Sequence, residues 1–371
     1  MRLLPTLLCA TVLSLCSITA AARQDDGPHA RYVNGDIEAR WLCDGKVVQK
    51  NLKQVNGTRI EPVCGFPAPI QITEDHPFAS TTTIFQAKKI AAISDIHGQY
   101  QSLKTLLQAH GIIGGANAEQ KTLGDNLDWR FGDGHLVIAG DIVDRGPQVT
   151  EALWLLYRLD AQAKAAGGRV HVLLGNHETM VMANDLRYVH PKYLGVAQEL
   201  GLNYPELFDT TSVIGRWLRS KAMLVQINDS LFMHAGLHPD YSKLELSLSE
   251  INEQFRLSLG FSKADIKKQT HLSFLYGSNG PIWYRGYFKA PQLAAAEFEQ
   301  LLQNLKVNRL VVGHTTMSGI LSHYDGKLFS IDSDIKSGKL GEILLFEDGK
   351  WQRGTLLGEK LSIPASSLDA H

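Results

Sequence analysis

Five short blocks of the chain pair an apolar, β-type run with residues that bind cations or carry protons. In order they are Ser94-Asp95-Ile96-His97-Gly98, Gly140-Asp141-Ile142-Val143-Asp144-Arg145-Gly146, Gly175-Asn176-His177-Glu178, His234-Ala235-Gly236 and Gly313-His314-Thr315. Carboxylate, amide and imidazole groups suit hard and borderline divalent metals, which need ligands converging from several chain segments. Asp141 is the natural bridge. With Asp95 and His97 on one side and Asn176, His234 and His314 on the other, it would complete two adjacent sites. Two such cations, roughly 3.5 to 4 Å apart, clamp the attacking and leaving oxygens of a displacement at phosphorus.

That chemistry needs strands to deliver each ligand. Apolar runs at 89–93, 136–139 and 170–174 read as buried strands of an α/β fold that end at Asp95, Asp141 and Asn176. A hairpin over 222–227 and 230–233, turning at Asn228-Asp229, ends at His234, and a strand at 309–312 runs into His314. The ligands would then lie outside the carboxyl ends of strands, where α/β sheets bind their ligands. The spacing of Leu103, Leu106 and Leu107, and of Leu153, Leu156 and Leu159, predicts helices covering the sheets. Stretches 327–332 and 342–347 read as closing strands, and 245–270 as a polar helical insert.

The chain has 371 residues, 44% hydrophobic and 20% charged, enough for one large or two unequal domains with a real core. A formal net charge of -1 excludes the global basic field that draws a protein onto nucleic acid. Arg2, the apolar run Leu7 to Ile18 and Thr19-Ala20-Ala21-Ala22 form a secretory signal pattern, with cleavage expected after Ala21 or Ala22. The apolar run is short of the roughly 20 residues of a spanning helix, so no stable membrane insertion is expected after cleavage. A periplasmic or secreted protein follows. Its mature form keeps Cys43 and Cys64; an oxidising compartment favours one disulfide between them, the alternative being two buried thiols.

The expected organisation is a signal at 1–22, a small β-rich segment at 23–85, a large α/β domain at 86–357 and a loose tail at 358–371. A helical cap insert is expected at about 184–220. It carries Tyr188, His190, Tyr193 and Tyr204, which either set substrate access or simply pack together.

The order and content of the five blocks resemble the metallophosphoesterases, and within them the calcineurin-like phosphatases of the PPP type. Ser94 stands where many relatives have glycine, but it precedes the ligand and leaves the ligand set whole. Gly-Pro-Ile-Trp-Tyr-Arg-Gly at 280–286, with the exported amino terminus, looks most like the bacterial Shewanella-like protein phosphatase branch. The resemblance implies a four-layer α/β/β/α sandwich with a β-rich amino-terminal appendage. It also implies two divalent metal ions, manganese, iron or zinc, and phosphoprotein or phosphopeptide substrates bearing phosphotyrosine, phosphoserine or phosphothreonine. A dinucleoside polyphosphate or nucleotide hydrolase on the same core is the alternative. A catalytically silent, metal-stabilised binding module would lack a ligand, Arg145 or His177, and none is missing.

By the same resemblance His177 stands beside the metals and protonates the leaving oxygen, and Asp144 orients it. Arg145 clamps phosphoryl oxygens with a bidentate fork, and Glu178 bonds nearby backbone. A second arginine is expected between His234 and His314, an interval that holds Arg256, Arg285 and Arg309. Arg309 begins a strand far from the site and Arg256 reads as solvated, which leaves Arg285 beside Trp283, Tyr284 and Gly286. His238 and His323 read as loop and packing residues.

Overall fold

The computed structural model describes residues 25–53, 57–66, 68–72, 83–115 and 127–366. The expected signal lies outside them. Two six-stranded sheets form the body. In the first, Arg169–Leu173, His135–Ala139 and Ile90–Ile93 run parallel, followed by Glu342–Glu347, Lys350–Thr355 and Lys360–Leu361. In the second the order is Leu321–His323, Leu328–Ser330, Arg309–Val312, Ser230–Met233, Leu224–Ile227 and Ile84–Phe85.

The pleat sorts the side chains into layers, because alternate residues of a strand face opposite sides. Ile90, Ala92, Val137 and Ala139 pack against Val225, Phe232, Val311 and Phe329 of the other sheet. Ala91, Ile93, Leu136 and Ile138 face outward to a second cluster containing Leu103, Leu106 and Leu107 of helix Tyr100–Ala109 and Leu153, Leu156 and Leu159 of helix Val149–Ala165. Leu301 and Leu302 of helix Ala295–Leu305 join the outer cluster with Leu231, Met233, Leu310 and Val312. This is the expected helix, sheet, sheet, helix sandwich. Strands buried on both faces read as continuous apolar runs rather than alternating ones.

Before it comes a three-stranded antiparallel sheet, Asp26–Val33, Asp36–Cys43 and Lys46–Lys53. Cys43 is disulfide-bonded to Cys64, with Cα atoms 5.5 Å apart. Two boundaries differ from expectation. Ile84 and Phe85, placed in the appendage, pair with Gln226 and Ile227 as an edge strand of the second sheet. The tail from 358, expected to be loose, is held through Ser366: Lys360–Leu361 pairs with Lys350–Thr355, and Ser366 N donates to Ser322 O at 2.8 Å. Few apolar groups mark the tail, yet backbone pairing at a sheet edge needs none.

The cap region folds as Pro191–Glu199, a 3-10 turn at Tyr204–Phe208 and Val213–Arg219. Tyr193 and Tyr204 are buried in it, so they pack, whereas Tyr188 is 40% exposed.

Candidate active site

All five ligand blocks lie where strands end. Ile90–Ile93 leads to Asp95 and His97, His135–Ala139 to Asp141, Arg169–Leu173 to Asn176, Ser230–Met233 to His234 and Arg309–Val312 to His314. The three strands of the first sheet and the two of the second are parallel within their sheets, so their carboxyl ends converge.

The turns after these strands are tight. Asp95, His97, Asp141, Asp144, Arg145 and His314 all take positive φ, between 47° and 70°. Such backbone persists at non-glycine residues only where the surroundings over-determine it. Glu178 supplies much of that constraint after strand His135–Ala139. Its Oε2 accepts from Asp141 N at 2.9 Å and Gly175 N at 2.8 Å, and its Oε1 from Ile142 N at 2.7 Å and Val143 N at 3.1 Å. The expected backbone role of Glu178 is thus its observed one.

His234 and His97 are each oriented by the far ring nitrogen. His234 Nδ1 donates to Ala139 O at 2.8 Å, which turns Nε2 inward, 3.0 Å from Asn176 Oδ1, 3.1 Å from His314 Nδ1 and 3.3 Å from Asp141 Oδ2. His97 Nδ1 donates to Val143 O at 2.8 Å, leaving Nε2 3.6 Å from Asp141 Oδ2 and 4.0 Å from Asp95 Oδ1. Anchoring one ring nitrogen to a carbonyl fixes the tautomer and aims the other at a metal. The second oxygen of Asp95 is occupied, accepting from Ser94 Oγ at 2.5 Å and His314 N at 2.9 Å.

Two clusters of metal-capable atoms result, His97 with Asp141 and His177, and Asp141 with His234 and His314. Asp141 is common to both. The donor set fits divalent cations: a buried amide oxygen, carboxylate oxygens and inward ring nitrogens crowd one another with few donors among them, an arrangement a positive ion relieves. Burial also holds His97 down at about 3 and, with His234 beside it, His314 at about 2, so both rings keep the lone pairs that coordination needs. Burial together with Asp332 and Asp141 pushes Asp95 up to about 7, the mark of carboxylates gathered without a compensating cation.

His177 stands at the edge of this centre. Its Nδ1 is 2.6 Å from Asp144 Oδ2, and its Nε2 lies 3.5 Å from Arg145 Nη2 and 3.8 Å from Asp141 Oδ2. Burial works against its protonated form, but the Asp141 and Asp144 carboxylates outweigh that and raise its pKa above the usual 6.5.

The cleft above has a volume of about 210 Å³, and Arg145 and Arg285 line it with Tyr188, Trp283, Thr316 and Lys336. Arg285 Nη1 donates to His314 O at 2.9 Å and Thr315 Oγ1 at 3.1 Å. Arg309 lies at the start of its strand, its guanidinium 5.0 Å from the Phe329 ring. Arg256 is not solvated as expected; it is 9% exposed. Its helix, Leu248–Ser258, buries polar groups as anchors, Asn252 Oδ1 accepting from Met223 N at 2.9 Å. His238 caps a 3-10 turn by accepting from Asp240 N, and His323 bonds Ser330 Oγ at 3.0 Å. Neither joins the metal clusters among the described residues.

Sequence reasoning missed Lys336 and Asp332. Asp332 is fully buried, its Oδ2 3.0 Å from Lys336 Nζ and accepting from Thr316 Oγ1 at 2.8 Å. Only the end of strand Leu328–Ser330 could have signalled them, since Asp332 follows a strand as the ligands do.

Residues 88–317 match the calcineurin-like phosphoesterase family. The crystal structure of a cold-active protein-tyrosine phosphatase of a psychrophilic Shewanella species is 37% identical, with a TM-score of 0.84, over 92% of this chain and 99% of that one. An uncharacterised protein of Schizosaccharomyces pombe is 33% identical over 266 residues, 68% of this chain and 75% of its own length. Shewanella-like protein phosphatase 1 of Plasmodium berghei is 28% identical over 256 residues, 66% of each chain.

Proposed function

The chain belongs to the calcineurin-like phosphoesterase family, a family of metal-dependent hydrolases, and from that premise we propose that it is a dinuclear phosphomonoesterase acting on phosphoproteins or phosphopeptides. The observation that carries the reading is the sharing of Asp141 between two clusters of metal-capable groups, beneath a cleft lined by two arginines. Similarity to a protein-tyrosine phosphatase and to a Shewanella-like protein phosphatase supports the substrate class.

Asp95, His97 and Asp141 would hold one ion, and Asp141, Asn176, His234 and His314 the other. Manganese, iron and zinc all suit these donors. Bound there, such ions would supply Lewis acidity and the means to lower the pKa of a water for in-line attack on phosphorus. Arg145 and Arg285 hold the phosphoryl oxygens as charge develops. Arg285 anchors one side of its fork on His314 O and Thr315 Oγ1, which fixes the guanidinium over the cleft. His177 delivers a proton from Nε2 to the leaving oxygen, while Asp144 fixes the ring through Nδ1. Placement in the periplasm or outside the cell draws support from the Met1 to Ala22 pattern and the Cys43–Cys64 disulfide. No helix among the described residues is long and apolar enough to cross a membrane.

A turnover panel with the mature protein tests the reading, with phosphotyrosine, phosphoserine and phosphothreonine peptides, nucleotides and a dinucleoside tetraphosphate, each with manganese, iron or zinc. Phosphopeptides should give the highest kcat/KM. A dinucleoside tetraphosphate turned over faster than every phosphopeptide would overturn it.

A further inference from the structure

The turn that carries Arg145 is gripped from outside the reaction centre by residues of the cap and of the amino-terminal sheet. Arg145 N donates to Tyr188 O at 2.9 Å, and its guanidinium stacks 5.1 Å from the Tyr188 ring centre. Two residues on, Pro147 O accepts from Lys192 Nζ at 2.9 Å and from Tyr193 OH at 2.9 Å. Tyr193 OH in turn accepts from Val149 N at 2.5 Å. Lys192 Nζ also lies 2.8 Å from Asp26 Oδ1, the first residue of the amino-terminal sheet, and the two side chains are only 5% and 1% exposed. The other oxygen, Asp26 Oδ2, accepts from Thr150 Oγ1 at 3.0 Å and lies 2.7 Å from His29 Nε2.

A buried ion pair is a poor way to add stability, because desolvating both charges offsets their attraction. It is a good way to hold geometry. The turn needs holding: Asp144 and Arg145 sit at φ 70° and 63°, conformations that relax unless neighbours prevent it. The cation of Lys192 is kept dry with the Asp26 carboxylate in direct contact, so the hydrogen bond to Pro147 leans on a strand outside the sandwich.

We propose that Asp26 and Lys192 are positioning residues for Arg145, and that the amino-terminal sheet is thereby part of the machinery that aims the phosphate clamp. The inference rests on reading Arg145 as a phosphate-binding residue. A displacement of about 1 Å at a reacting group can cost up to about a hundredfold in rate, so a change two residues from Arg145 has room to act.

The test is a double-mutant cycle between Lys192→Met and Arg145→Ala, read by competitive inhibition of p-nitrophenyl phosphate turnover by inorganic phosphate and by metal content per chain. Lys192→Met alone should weaken phosphate inhibition about tenfold with metal content unchanged, and should add almost nothing in the Arg145→Ala background. A merely structural contact would lower thermal stability without this coupling. If Lys192→Met does not fold, the Asp26→Asn/Lys192→Met pair, which removes both charges of the ion pair together, carries the same cycle. Phosphate inhibition as strong in Arg145→Ala as in the unaltered protein would sink the clamp reading. Inhibition weakened by Arg145→Ala but not by Lys192→Met, or weakened equally in both backgrounds, would overturn the positioning role alone.

Discussion

At the scale of single residues, the site depends on one carboxylate that serves two clusters. Asp141→Asn should therefore remove more metal and more activity than replacing an unshared candidate ligand such as His97 or His314, and metal content per chain checks it. His177→Asn should keep its metal yet lose about 10² to 10⁴ in kcat, the range for a general acid, with a smaller loss on an activated aryl phosphate. Equal losses on aryl and alkyl phosphates would remove the proton-donor role. The His177 pKa is raised by Asp141 and Asp144 against the effect of burial, so these carboxylates favour the protonated ring, and its proton is lost as pH rises through the raised value. Asp144→Asn takes away one of those carboxylates and should move the alkaline limb of kcat to lower pH. Arg285→Lys should weaken phosphate inhibition and lower kcat/KM, since lysine keeps the charge without the fork. Arg256→Lys should do neither, because Arg256 lies outside the cleft-lining set.

At the scale of elements, the site is a property of strand ends and of the glycines that let them approach. A Cβ on Gly175 would sit 2.2 Å from Asp141 Oδ1 and 2.8 Å from Asp141 N. Gly175→Ala should thus displace the shared ligand, with metal content falling while far-UV circular dichroism stays native. A Cβ on Gly313 would fall 1.9 Å from Ser94 Oγ, the hydroxyl that bonds Asp95. Ser94 consequently fits only because 313 is glycine, and its hydroxyl adds a hydrogen bond to the candidate ligand Asp95.

For the whole molecule, the amino-terminal sheet is joined to the sandwich at several places. Trp154 Nε1 donates to Pro28 O at 2.8 Å, Arg31 Nη2 to Thr211 Oγ1 at 2.7 Å, and the Arg216 guanidinium lies 4.1 Å from the Tyr32 ring centre. The Cys43–Cys64 bond closes a 21-residue separation within this region. Reducing it should lower stability by about 3 kcal/mol in the chain-entropy picture of a loop this size, measured by denaturant unfolding with and without reductant. Two free thiols counted in the denatured, unreduced protein would remove the bond.

The sequence by itself determined the candidate ligands, their order and the strand that delivers each, because a strand buried on both faces leaves a continuous apolar run and a polar residue just after it stands out. The α/β class was legible in these runs and the helices between them, while the sandwich was implied by the resemblance of the five blocks to the calcineurin-like phosphatases. Which sheet each closing strand enters was decided only by tertiary structure: Leu328–Ser330 joins the second sheet, while Glu342–Glu347 crosses to lie antiparallel beside Ile90–Ile93 in the first. Both are apolar and either sheet could accept them. The burial of Arg256 and the pairing of Asp332 with Lys336 were equally hidden, since polar residues that satisfy one another inside read like solvated ones along the chain. The grip of Asp26 on Lys192 joins residues 166 positions apart, and no local pattern announces a partner that only folding brings within reach.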